Sequence, residues 1–159
     1  MAINAYLIVD GIPGPSTSKQ NAIDILAFSF GASNSSVIGA GSSGGETRAG
    51  RAHVSDLSIT KVLDKTSPLM FDHCVSGDLI KKVELSYDKP MGNQQEVYFK
   101  VLMTDVLVTS IQESGSSENP TESITFAFAT VKVSYNPEKD GKLAGFVEKG
   151  WDVQKLKTI

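Results

Sequence analysis

From Val54 to Leu63 apolar and polar residues alternate. Leu57, Ile59 and Leu63 fall on one face at a spacing of two, with Lys61 interrupting them, while Asp56, Ser58 and Thr60 take the other face. That period predicts a half-buried strand over 54–63. The period then changes. Ser67 is placed to cap the first free backbone N–H groups of a helix, Pro68 suits its first turn, Leu69, Met70, His73 and Cys74 recur at helical spacing, and Gly77 supplies a stop. A single short helix is expected at about 67–76.

Further strands are expected near 4–10, 23–31, 79–88, 95–113, 121–136 and 145–153. In 23–31, Leu26, Phe28 and Phe30 are assigned to the core side, with Ala27 and Ser29 opposite. Over 79–87, Leu79, Lys81, Val83, Leu85 and Tyr87 alternate with Ile80, Lys82, Glu84 and Ser86, and Asp88 to Asn93 then reads as the turn of a hairpin. The runs 97–109 and 124–135 are too apolar for one buried face, which predicts protein on both sides of each. Within the second run Ile124, Phe126 and Phe128 hold even positions and Val131, Val133 and Tyr135 odd ones, the phase slip of a bulge or of a strand crossing between sheets.

The expected fold is therefore mainly β: a two-sheet β-sandwich or barrel with one short α-helix, in a single domain over residues 1–159. Apolar outer strand surfaces that one short helix cannot cover call for a neighbour, so self-assembly is expected. The segment Ser33 to Arg51 is rich in Gly, Ser, Ala and Asn, with Val37 and Ile38 as its bulky apolar residues. A loop of that length in a compact domain is usually functional or disordered.

Charge and composition narrow the function. The formal charge is −3 and the basic residues are scattered, which argues against a nucleic-acid binder. Cys74 is the only cysteine, so no intrachain disulfide is available, and its place on the apolar helix face predicts a buried thiol. The apolar run Ala5 to Val9 before Asp10 is too short for a signal peptide or a membrane span, so a soluble protein made in the cytoplasm, without membrane insertion, is expected.

Candidate chemistry is sparse. Gly39-Ala40-Gly41-Ser42-Ser43-Gly44 spells a dinucleotide fingerprint, but the residues after it lead into a strand, where the fingerprint needs a helix N-terminus to hold pyrophosphate. His73 and Cys74 are sequence neighbours, about 100° apart on a helix, and seldom share a metal; His53 is remote. Asp56, Asp64 and Asp105 are candidate inward carboxylates, with Lys61 and Lys65 as structural partners. Asn34-Ser35-Ser36 fits a glycosylation pattern that means little without a secretory signal. No catalytic, metal or cofactor site is expected, and the chain reads as a non-enzyme.

The pattern DLS-x-TK-x-x-DK-x-SP is made of Asp56, Leu57, Ser58, Thr60, Lys61, Asp64, Lys65, Ser67 and Pro68. With AYLIVDGIPGPS and IDILAFSFGASNSS before it, and EVYFKVLMTDVLVTSIQES, TESITFAFATVKVSY and GFVEKGWDV after it, the order resembles the haemolysin-coregulated protein (Hcp) family over nearly the whole chain. Phe28 and Phe30 stand where many relatives carry tryptophan, and the segment after Pro68 is slightly shorter than in some.

The resemblance implies a structural subunit whose hexameric rings stack into the inner tube of a type VI secretion apparatus and are expelled with small effector cargo. Its implied partners are further copies of itself, the spike and sheath proteins and small effectors, and its implied destination is extracellular. It further implies ring-to-ring contacts from the loop at Ser36, Val37, Ile38 and Gly39, from the hairpin tip at Lys89, Pro90, Met91 and Gly92, and from Lys157 in the C-terminal segment. Ala27 and Ser29 would face the channel. Two other readings stay open: a phage-type tail-tube protein and a monomeric β-barrel that binds a small ligand.

Overall fold

The computed structural model describes residues 4–35, 51–116 and 118–159. Strands β1 (Asn4–Val9), β2 (Ile23–Asp24), β3 (Ala27–Ser29), β4 (Ala32–Asn34), β5 (Ala52–Val54) and β6 (Leu57–Val62) lead to helix α1 (Ser67–Ser76). Then follow β7 (Ile80–Met91), β8 (Gln94–Ser114), β9 (Thr121–Tyr135), β10 (Glu138–Lys139), β11 (Lys142–Leu143), β12 (Val147–Asp152) and β13 (Lys157–Thr158). The fold is mainly β with one short helix among the described residues.

The main sheet runs β13-β12-β9-β8-β7-β1-β2, with β6 also on β9 and β3 on β6. The long strand β9 serves two neighbours on one edge: its first half, Thr121 to Phe126, pairs with β6, and its second half, Thr130 to Tyr135, pairs with β12. The phase slip anticipated within β9 falls where it changes partner, which happens within this one sheet. The ladders form a sandwich-like shell and do not close into a barrel. Between β2 and β3 the chain passes from one side to the other, with Ile25 N donating to Ala5 O at 3.2 Å and Leu26 N to Thr60 O at 2.7 Å. Leu26 is consequently 62% exposed, not a core residue, and Ile25 takes the inward place.

A diagonal crease crosses the three central strands and explains why simple alternation fails there. In β7 the buried residues step from Ile80 to Val83, in β8 from Met103 to Val106, and in β9 from Phe126 to Ala129, each a spacing of three where a flat strand would show two. The sheet bends along this line, so one continuous face stays inward while its parity changes. The runs 97–109 and 124–135 are therefore not buried on both faces: Leu107 is exposed, and Leu79, grouped by alternation with Val83, points outward while Ile80 is buried. At the crease Asp105 has φ +50°, a left-handed conformation that Asp tolerates better than most side chains, and its carboxylate is exposed, not inward. A second irregularity lies on β8, where the β8–β9 register shifts between Val108 and Ser110.

The core is one cluster that includes Leu7, Ile23, Leu57, Ile59, Met70, Leu85, Met103, Ile124 and Phe126, with Phe28, Phe30, Phe99, Phe128 and Trp151 packed at its margin. Met70 is the fully buried apolar anchor of α1; Leu69, Phe71 and Val75 are exposed and the Cys74 thiol is half-buried. The helix starts one residue earlier than Ser67 suggests as a cap. Thr66 is the N-cap, Pro68 sits in the first turn, and Gly77 closes the helix in the left-handed conformation (φ +72°) with its N–H donating to His73 O. The hairpin after β7 is tighter than expected: Met91 pairs with Gln94, leaving Gly92 (φ +66°) and Asn93 as the turn.

Candidate functional site

Alternation along β6 places position 61 inward, and Lys61 is fully buried there. Its Nζ lies 3.1 Å from Glu122 Oε1 on β9 and 3.1 Å from Asp64 Oδ1, and it donates to Ser67 Oγ at 3.2 Å and to Val62 O at 3.3 Å. Lys61 and Glu122 are direct cross-strand partners. Asp64 Oδ1 also accepts the Thr66 N–H at 2.8 Å and the Thr66 hydroxyl, and Ser67 Oγ accepts the Asp64 N–H at 3.1 Å. Thr66 thus spends its hydroxyl on Asp64 and makes no side-chain cap bond to the helix. Within the signature, Asp64, Lys61 and Ser67 come together as one fastening of β6, β9 and the start of α1, whereas Lys65 and Pro68 are exposed outside it.

Asp56 does different work at the other end of β6. Thr109, at the β8 irregularity, donates to Asp56 Oδ2 at 3.2 Å and to Thr125 O at 3.1 Å, so the carboxylate braces the bulge. Leu57 is buried, and Thr60 is half-buried between Ala27 of β3 and Ser123 of β9. Ala27 and Ser29 are both exposed on β3, with Phe28 between them turned onto Tyr87 and Phe99.

Three projecting features lie at the ends of the strands. The first is the arm formed by β4 and β5, clipped at its base by Gly31 N donating to Ser55 Oγ at 2.8 Å. Ser36, Val37, Ile38 and Gly39, and the glycine fingerprint to Gly44, lie outside the described residues. The second is the β7–β8 tip. Lys89 there pairs with Glu138 of β10 at 3.1 Å and rests over the Tyr98 ring at 5.0 Å, while Met91 and Gly92 border an open cleft of about 430 Å³ shared with β11. The third is the C-terminal segment: β13 carries Lys157 opposite Asp152, and Ile159 N donates to Gly150 O at 3.1 Å. A Cβ on Gly150 would stand 2.8 Å from Ile159 Cγ1 and 2.9 Å from Val131 O, so this close approach needs glycine.

Between the arm and the β9–β12 surface is a cleft of about 600 Å³ bordered by Arg51, His53, Asp56, Phe128 and Trp151. His53 is exposed on β5, and His73 sits on α1 with Nδ1 3.4 Å from Asp78 O, far along the chain from any shared site with it. Among the described residues no three His, Cys, Asp or Glu side chains converge as a metal site. No helix among them is long and apolar enough to cross a membrane.

Glu122 was invisible to pattern reading, although the signal exists: it shares the even parity of Ile124 and Phe126, both buried. Burial raises its carboxyl above the ordinary Glu value, Lys61 and Ser67 oppose the rise, and Glu113 across the β8–β9 ladder adds to it. The exposed apolar face of α1 was also missed, because Leu69 reads as a core residue by helical spacing.

A protein-family model described as "Type VI secretion system effector, Hcp" matches residues 6–135. "Protein hcp1" of Pseudomonas aeruginosa is 37% identical over 160 aligned positions, covering 97% of each chain. Among solved structures, one titled "Structure of a type six secretion system protein" superposes with a TM-score of 0.88 at 30% identity, covering 99% of this chain and all of that one. Hcp1 from Salmonella typhimurium superposes with a TM-score of 0.81 at 28% identity over the full length of both chains.

Proposed function

The chain belongs to the Hcp family of type VI secretion system proteins, and from that premise we propose that it is a tube subunit that closes into six-membered rings, stacks ring on ring, and leaves the cell with small effector proteins held in the channel. The observation that carries this reading is the full-length superposition on an Hcp1 structure together with a surface that leaves large apolar side chains uncovered. Phe71, Val75 and Leu79 are each more than half exposed around α1, and Val147 is 63% exposed on β12. Scattered exposed apolar residues are ordinary, but a cluster on one helix face favours contact with another chain.

In this reading the β4–β5 arm with Ser36 to Gly39, the tip from Lys89 to Gly92, and Lys157 on β13 meet the next ring, and Ala27 and Ser29 line the channel. Their small, exposed side chains leave room and present no apolar barrier to passing cargo. Spike and sheath proteins are the expected machine partners. The chain acts as a structural part and performs no reaction.

Light scattering on the purified protein across a concentration series tests the proposal, followed by negative-stain microscopy of the same sample. A mass six times that of the chain, with open rings, is the expected result. A monomer at every concentration overturns spontaneous ring formation.

A further inference from the structure

The buried cluster at the β6–β9 end of the sheet holds one ammonium against two carboxylates, and nothing in a tube subunit's role requires that imbalance. We propose that Lys61, Asp64 and Glu122 form a proton-linked clasp, which holds α1 to the β6–β9 ladder more firmly when the carboxylates share a proton than when both are ionised.

Every element packed on Glu122 contributes to the balance. From β6 comes Lys61, 3.1 Å from Oε1; from the β6–α1 turn comes Asp64, bound to the same ammonium; from β8 comes Glu113, its ladder partner. From α1 comes the Ser67 hydroxyl, with no acidic residue in that helix's first turn. Glu122 therefore has one cation beside it and two neighbouring carboxylates, Asp64 on that same ammonium and Glu113 across the ladder. Neither Glu122 oxygen accepts a well-aligned hydrogen bond among the described residues, so the Lys61 ammonium at 3.1 Å is the main compensation for a fully buried carboxylate. Asp64 is much better served, taking Lys61 and both donors of Thr66. A proton shared within the cluster is thus best placed on Glu122, leaving Lys61 to Asp64 and to the turn that starts α1.

The sign follows from linkage. A carboxyl raised in the native state binds its proton more tightly there than in the unfolded chain. Its contribution to stability is complete below the ordinary Glu value and is lost as pH rises through the raised one. Mild acidification should therefore strengthen this end of the fold, the reverse of the usual carboxylate effect.

The test is the melting temperature of the full chain between about pH 8 and about pH 5.5, at fixed protein concentration, for wild type, Glu122→Gln and Glu113→Gln. In wild type the melting temperature should rise on acidification, by roughly 2–4 °C for each kcal/mol of linked stability in a domain of this length. Glu122→Gln, which copies the neutral form, should flatten that rise and melt at or above wild type at the higher pH. Glu113→Gln changes an exposed residue and should shrink the rise without abolishing it. Amide exchange at Met70, whose N–H donates to Thr66 O at 2.9 Å, should slow at the lower pH after correction for intrinsic rate. A wild-type melting temperature that is level or falls on acidification, or a full rise retained in Glu122→Gln or Glu113→Gln, overturns the proposal. These readouts report on the fold, so their failure leaves the ring-forming reading untouched.

Discussion

Lys61 and Glu122 face each other directly across the β6–β9 ladder with 3.1 Å between Nζ and Oε1, and neither side chain touches solvent. The pair is asymmetric, because Lys61 is also held by Asp64 whereas no second cation reaches Glu122 among the described residues. Lys61→Met should therefore destabilise the chain by about 3–5 kcal/mol, because it leaves Glu122 buried without its cation. Lys61→Met with Glu122→Leu should recover most of the loss. Urea unfolding of the two variants measures this; a single variant as stable as wild type would refute it.

Gly150 is held by contact more than by conformation. Its would-be Cβ collides with Ile159 Cγ1 and with the backbone at Val131 O, and the second of these cannot swing aside. Gly150→Ala should displace β13 from β12 and lower stability by about 1–3 kcal/mol, the usual cost of overpacking. Chymotrypsin or carboxypeptidase should then trim the C-terminal residues faster than in wild type. Equal trimming rates would show that the segment is not seated on Gly150 in solution.

Asp105 sits at the crease with φ +50° and an exposed side chain. Asp105→Gly should be neutral or stabilising by up to about 1 kcal/mol, since glycine adopts that conformation without steric cost. Asp105→Val should cost about 1–2 kcal/mol, because a β-branched residue pays the left-handed penalty in full. Thermal melting of the pair gives the ordering, and the reverse order would mean that the crease is not set by this backbone.

Asp56 receives Thr109 at the β8 irregularity at 3.2 Å. Asp56→Ala should cost about 0.5–1.5 kcal/mol of stability, the net worth of one partly exposed bond, and should lower the stability of any assembly that leans on this corner. Unchanged native mass and melting temperature would dismiss both effects.

Ser29 is exposed on β3 and small. Ser29→Arg should leave the rings intact and reduce co-purification of cargo, as expected if this strand lines the channel. Full retention of cargo would place the lumen elsewhere.

Much of this architecture was readable from side-chain order. Helix α1 stands at the expected 67–76, because Pro68 and Gly77 punctuate the chain through local backbone chemistry. The β6 strand, the β7–β8 hairpin and the irregularity within β9 were signalled by period and by its slip. The DLS-x-TK-x-x-DK-x-SP pattern and its flanking segments were enough to identify the family that the comparisons then matched.

Tertiary structure decided which residues those patterns bury. Alternation is a local property, whereas the crease through Ile80–Val83, Met103–Val106 and Phe126–Ala129 involves three strands together, so Leu79 turns outward against its parity, and Leu26 does so where the chain passes from β2 to β3. Lys61 reads in one dimension as a break in an apolar face. Only the pairing of β6 with β9, which brings in a residue sixty-one positions away along the chain, turns that break into one half of a fully buried ion pair.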